Sequence, residues 1–349
     1  MNNAYIIFER ISVQDANCIA GFTYGFPAVT HFLGFGHALS RKLAKNSRLS
    51  LQGCAVICHQ HQIHVYQHKR YSDYFFAQTK NPPREKGKDN KGREKATTSP
   101  PIIEEGKMSM TVSLIMACPD LNIGRTAEIN TLKETLLNLA YQHRLAGGSI
   151  QKIAAIHVLN QDEEKLLKKI KCLLLPGFVL MDRTDLLTEH YENIKQQQPD
   201  AELIDAWLDF SALKYQAKPK LQDNEFEATD KTQAEWVRLE KPAKGWLVPI
   251  TNGYKAISPV YQPGEVANTR DAITPVCFVE AAHSIGEWRS LHRIQGLADM
   301  LWHYHYEQYW YLCRQGELAQ VSPKSSLTEL ESRAEVDDDF EDDFFDFNN

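Results

Sequence analysis

The stretch Gly25–Leu43, GFPAVTHFLGFGHALSRKL, follows a strand-like segment, and its reading decides the fold of the N-terminal half. Pro27 suits the first helical position, where a missing N–H costs little. Helical spacing then places Phe32, Gly36, Leu39 and Leu43 on one side and Thr30, Gly34, His37 and Arg41 on another. The first side can pack on a sheet. The second offers a hydroxyl, an imidazole, a guanidinium and a glycine that lets another backbone come close, a mixture suited to a single RNA strand. A sheet-packed helix with a merely solvated polar face has the same pattern.

Working outward, Ala4–Val13 is rich in β-branched and aromatic residues and reads as a first strand, and Leu51–Tyr66 as a second strand or hairpin. Lys80–Lys95 holds seven basic and three acidic residues with no apolar residue except its two prolines. It reads as the mobile tip of a long connection before the strand Met108–Ala117. Thr126 can cap a helix with Ile129, Leu132, Leu136 and Leu139 on one face, ending at Gly147-Gly148. A lysine-rich helix, Asp162–Leu175, precedes a further strand, GFVLMD. This order predicts an α+β fold with a ferredoxin-like domain over residues 1–182, used by many binders of single-stranded RNA, and a mainly antiparallel sheet. A basic hairpin or loop is inserted at about 68–106. Residues 183–320 form a C-terminal mixed helical and β region: helical to about Tyr215, a polar linker from Gln216 to Thr232, a β-like part over Gly245–Val279, and a closing aromatic helix, Leu297–Leu312.

Composition bounds the rest. With 349 residues, 43% of them hydrophobic, the chain can bury one large core or two smaller ones, and two domains are expected. No apolar run of membrane-spanning length and no secretion signal occur, and seven cysteines without paired CxxC spacing fit a reducing, cytoplasmic setting in which they act as packing residues. The net charge of −6 is set by eight carboxylates and no cations in residues 335–349; without them the chain carries +2. Residues 321–349 read as a disordered acidic tail, in which Phe340, Phe344, Phe345 and Phe347 suit either docking on a protein or folding over basic surface.

Several segments, in order, resemble the second subunit of the type I-F CRISPR surveillance complex, a member of the broader Cas-five group. They are ISVQDANCIAG, GFPAVTHFLGFGHALSRKL, IIEEGKMSMTVSLIM, HRLAGGSI, LLPGFVLMDR, the long GWLVPITNGYKAISPVYQPGEVANTRDAITPVCFVE, GEWRSLHRI and MLWHYH, spread over roughly residues 4–305. The acidic tail is outside that pattern. The resemblance implies a non-catalytic protein on an RRM/RAMP-type ferredoxin-like fold with a thumb-like hairpin. It would grip the 5′ handle of CRISPR RNA with the large first subunit, cap the filament of backbone subunits, and meet target DNA through the complex. It implies no cofactor, no metal and no membrane. Gln14 and Asn17 fall in the family's loop after the first strand, where side-chain amides can meet a base edge; an Asn can equally close a loop on its own backbone. Thr30, His37 and Arg41 match the polar helix face. Arg144, Gly147, Gly148 and Ser149 match the RLAGGS segment, where backbone N–H groups can meet phosphate.

Other groupings carry competing readings. Cys54, Cys58, His59, His61, His64 and His68 suggest zinc, but their spacing repeats no tight ligand pair. His37 with Arg41, or His143 with Arg144, could form a general acid/base pair, which leaves a metal-independent ribonuclease of the same fold as an alternative. Lys165, Lys168, Lys169 and Lys171 make a basic helix face; Lys168 and Lys169 are candidate phosphate contacts, against a plainly solvated face. The aromatic cluster Trp302–Tyr311 suits core or subunit interface, so a protein-only scaffold is a third possibility.

Overall fold

The computed structural model describes residues 4–316 except 46, 48, 77, 81–101, 122–125, 161–162, 221–231 and 270. Most of the basic stretch and the acidic tail therefore lie outside the described residues. The N-terminal elements are β1 (Ala4–Asn17), the short pair β2 (Ile19–Ala20) and β3 (Thr23–Tyr24), α1 (Val29–Leu43) and β4 (Gln52–Ile63). Two ribbons follow, β5 (Val65–Gln67) with β6 (Tyr74–Phe76) and β7 (Gln78–Lys80) with β8 (Ile102–Glu104), then β9 (Lys107–Cys118) and α2 (Thr126–Tyr141). The hairpin β10 (Arg144–Leu145) and β11 (Gly148–Lys152) leads to β12 (Ala155–Leu159), α3 (Glu163–Leu174) and β13 (Phe178–Asp182).

The sheet is antiparallel throughout, and β12, β1, β9 and β4 lie side by side in that order. Residue alternation sorts its two faces. Ile6 and Phe8 of β1, Val56 of β4 and Leu114 of β9 pack under α1 and α2, whereas Ile7, Ile57 and Ile115 pack under α3. Strand β1 keeps its core side despite a change of parity from Phe8 to Ile11, because one-residue bulges shift its register on β9 between Phe8 and Ile11 and between Val13 and Ala16. Arg10 and Asp15 take positive φ there, 46° and 56°. The Arg10 N–H, freed by the first bulge, donates to the Ser113 hydroxyl at 2.8 Å; Ser113 also meets His59 Nε2 at 2.7 Å, and His59 Nδ1 donates to the Pro176 carbonyl at 2.8 Å. This chain of bonds ties three strands to the loop before β13, and burial holds the His59 pKa below the ordinary histidine value.

Beyond Arg183 come α4 (Thr184–Gln197) and α5 (Leu203–Ser211), as the helical periodicity predicts. The expected linker over 216–232 is instead partly ordered: β14 (Tyr215–Pro219) pairs with β15 (Ala234–Arg238). Strands β16 (Leu247–Ala256) and β17 (Val279–Ser290) extend the main sheet from β13. The expected aromatic helix over Leu297–Leu312 is a second correction. A 3-10 turn at Ala298–Met300 leads into a hairpin, β18 (Trp302–Glu307) and β19 (Trp310–Gln315), with Gln308 and Tyr309 at positive φ in its two-residue turn. Alternating His and aromatic residues suit a pleated surface, and non-local pairing with β16 selects it. Trp302 then pairs with Cys54 of β4, closing a ring β4-β13-β17-β16-β19-β18. The described residues form one compact unit, and the boundary expected at 182/183 falls inside it, between β13 and α4.

Candidate RNA interface

Helix α1 begins at Val29 with Ala28 as its cap, so Pro27 precedes the helix rather than occupying its first turn. Val29, Phe32, Leu33, Phe35, Gly36, Leu39 and Leu43 are buried. Gly36 seats the helix: a Cβ there would come within 3.2 Å of Met116 Cε on β9. The opposite stripe emerges as the spacing predicts, with Gly34, His37 and Arg41 exposed and Thr30 half-buried. His37 stacks on Tyr304 of β18 at 6.3 Å and 14°, and Tyr304 on Tyr311 of β19 at 5.7 Å and 12°. The imidazole is thus oriented by an aromatic column that sequence reading missed once it took this segment for a helix. Arg41 and Lys42 occupy the last turn, where cations favour the helix terminus.

Gly147 and Gly148 do not stop a helix. Helix α2 ends at Tyr141, and the glycines turn the hairpin between β10 and β11, with Ala146 at φ 51° and Gly147 at φ 76°. The hairpin docks on β1: Ser149 lies opposite Gln14, and the Asn17 N–H donates to the Ala146 carbonyl at 2.8 Å. Gly148 permits this docking, because a Cβ would lie 2.6 Å from the Gln14 carbonyl oxygen and 2.7 Å from the Ala16 nitrogen. Six candidates, Gln14, Asn17, Arg144, Gly147, Gly148 and Ser149, are therefore brought together. Gln14, Arg144, Gly147 and Ser149 are exposed. Asn17 is engaged locally, its amide donating to the Ile19 carbonyl at 2.9 Å and accepting from the Ile19 N–H at 3.1 Å. Helix α1 packs beside this hairpin, with Phe35 edge-on to His143 at 6.4 Å.

Lys168 and Lys169 stand apart. They project from α3, whose Leu166, Leu167, Ile170 and Leu174 pack on the sheet face opposite α1. Lys168 pairs with Glu164 one turn away at 2.7 Å, fully in solvent. Lys171 donates to the carbonyls of His292 and Ile294 and so pins α3 to the 3-10 turn there. The cysteine–histidine run forms no metal site: among the described residues no three His, Cys, Asp or Glu side chains are grouped to hold an ion. Cys54 and Cys58 are buried in the sheet, burial pushing the Cys58 thiol up to about 12, and His64 meets Ser109 at 2.9 Å. His143 donates from Nδ1 to the Leu139 carbonyl at 2.7 Å.

A family model described as CRISPR-associated protein (Cas_Csy2) matches residues 6–313, from the first strand to the last hairpin. The CRISPR-associated protein Csy2 of Pseudomonas aeruginosa (strain UCBPP-PA14) is 35% identical over 320 residues, which cover 87% of this chain and 92% of that protein. A match that spans both halves of the sheet, at that identity, shows that the chain belongs to the CRISPR-associated Csy2 family.

Proposed function

We propose that this chain is a non-catalytic subunit of a type I-F CRISPR surveillance complex, gripping the 5′ handle of CRISPR RNA together with the large first subunit and capping the filament of backbone subunits. The observation that carries it is the polar stripe of α1, with Gly34, His37 and Arg41 exposed and Thr30 half-buried, on a helix anchored to the sheet beside the docked Arg144–Ser149 hairpin. Family membership supports the assembly. Residues 1–182 supply the RNA-binding part on a ferredoxin-like plan, supported by the antiparallel order β12-β1-β9-β4 with α1 and α2 on one face. The 68–106 excursion, including β6, β7 and β8, supplies its thumb, and residues 183–320 complete the body. Guide pairing reads the target DNA, and the protein reads backbone shape and the short fixed handle.

Purified chain with the large subunit and repeat-derived RNA tests this. The RNA is bound and stays uncut, and Arg41→Ala weakens binding by about 1–3 kcal/mol through loss of a charge-assisted bond to phosphate, with melting unchanged. Cleavage products that vanish in His37→Ala or His143→Ala would make the protein a ribonuclease, and unaltered affinity of Arg41→Ala at moderate salt would remove the helix stripe from the interface.

A further inference from the structure

The sheet opens where β13 begins. Strand β4 pairs with β13 only at Ile57 with Val179 and Cys58 with Phe178; the Pro176–Gly177 loop before β13 covers His59, which donates to the Pro176 carbonyl, and pairing goes no further. Past Cys58, that edge of β4 borders a cleft of about 830 Å³. Six consecutive residues, Cys58 to Ile63, line it. The cavity also reaches across the sheet to Ser109, Met110 and Thr111 of β9 and to Ser12 and Val13 of β1, so the edge of β4 is located by its hydrogen bonds. The His64 N–H donates to the Lys107 carbonyl at 2.8 Å, in the same register that sets Gln62 opposite Ser109 and Gln60 opposite Thr111. Hydrogen-bonded pairs alternate in an antiparallel ladder, so the even-numbered residues bond β9, and His61 and Ile63 turn their N–H and C=O groups to the cleft. Among the described residues no strand pairs with them there.

Open edges are ordinarily guarded by lysine, proline or a cover. This one carries Gln60, His61 and Gln62. Across from it, Phe178 and Trp246 meet edge to face at 5.3 Å yet remain 40% and 52% exposed, beside Trp288, which Phe26 holds at 4.8 Å. Among the described residues no Lys, Arg, Asp or Glu lines the cleft. An RNA strand would bring a phosphate per nucleotide to a wall without cations, and the chain's own tail would bring eight carboxylates to the same wall.

We propose that the open edge of β4 receives an extended, uncharged segment of a partner protein by strand addition, its backbone bonding His61 and Ile63 and its apolar side chains lying on Trp246 and Phe178. This rests on the chain working within a protein assembly. His61→Pro removes a cleft-facing N–H without removing a bond to β9, whereas His61→Ala keeps that N–H. Each full-length protein is combined with the purified large and backbone subunits and CRISPR RNA; assembly is followed by native mass spectrometry, and amide exchange is read over residues 60–63. His61→Pro should weaken assembly at least tenfold at unchanged melting temperature, and His61→Ala should not. In the wild type, exchange at His61 and Ile63 should slow at least tenfold only when the protein subunits are present. If His61→Pro melts lower, the wild-type exchange decides. Slowing by RNA alone would make RNA the occupant. Slow exchange in the isolated chain that is lost on deleting residues 317–349 would make it the tail. Either result overturns the proposal. A wild type that assembles with both amides still exchanging fast refutes the docking alone, whereas a wild type that joins no assembly refutes the subunit reading beneath it.

Discussion

Replacing Gly148 by alanine should undo the docking of the β10–β11 hairpin on β1. The added Cβ would sit 2.6 Å from the Gln14 carbonyl oxygen, 2.7 Å from the Ala16 nitrogen and 2.7 Å from Val13 Cγ1. Two of those atoms are backbone, and β1 cannot retreat, since Val13 and Ala16 are paired on its other edge with Met110 and Met108. The hairpin must lift. Overpacking of this kind costs about 1–3 kcal/mol, and losing the bond from the Asn17 N–H to the Ala146 carbonyl adds about 1 kcal/mol. A loss of about 2–4 kcal/mol corresponds to a melting temperature lower by about 3–6 °C for a unit of this size. Gly147 is the internal control: its φ of 76° penalises alanine by about 1–2 kcal/mol, but its Cβ would have room, the nearest atom being Asn17 Cβ at 4.0 Å. Thermal melts of both variants, with exchange over residues 144–150 and affinity for handle RNA, form the assay. Gly148→Ala should be the more damaging, with exchange accelerated at the hairpin and RNA affinity lower by about tenfold as Arg144 and Ser149 leave Gln14. If Gly147→Ala is the worse variant, or Gly148→Ala melts with the wild type, close approach to β1 is not what the glycine serves.

Ser113→Ala leaves the bulge N–H of Arg10 and the Nε2 of His59 without their partner and should cost about 1–3 kcal/mol in chemical denaturation; a change below about 0.5 kcal/mol would show the bulge to be held some other way. Acidification should destabilise the chain, because burial depresses His31, His59, His283 and His303 below the ordinary value of 6.5. The unfolded chain binds protons near pH 6.5 that the folded chain refuses, so this stability is complete above 6.5 and declines as pH falls through it; a urea midpoint equal at pH 7.5 and 5.5 would contradict this. Deleting residues 335–349 removes eight carboxylates and should raise binding of random RNA at low salt, with the gap narrowing at high salt; equal binding at low salt would exclude self-shielding.

The two faces of α1 were legible because burial on a sheet repeats every three to four residues, and Phe32, Gly36, Leu39 and Leu43 keep that spacing. Strand β1 was read short because the bulges at Arg10 and Asp15 break its alternation, and a bulge is fixed by the partner strand rather than by its own residues. The Gly147-Gly148 pair was misread for a related reason. A residue at positive φ after a helix signals a helix stop as well as a hairpin turn, and only pairing with β1, more than a hundred residues away in sequence, decides between them. Asn17 shows the limit for single side chains: its type allows a base contact, and its geometry commits it to Ile19.

The misread C-terminal hairpin bears on the proposed RNA surface. Trp302 is fully buried, donates from Nε1 to the Leu180 carbonyl at 3.0 Å and pairs with Cys54, so it fixes β18 against both β13 and β4. Gln315 adds bonds to the Leu180 and Met300 carbonyls at 2.9 Å each. Two residues along from Trp302, Tyr304 forms the surface on which His37 stacks. His37 of the polar stripe is thus oriented by a residue more than 250 positions downstream. Removing the hairpin should disturb His37 before it disturbs Gln14 or Ser149, which face each other across β1 and β11.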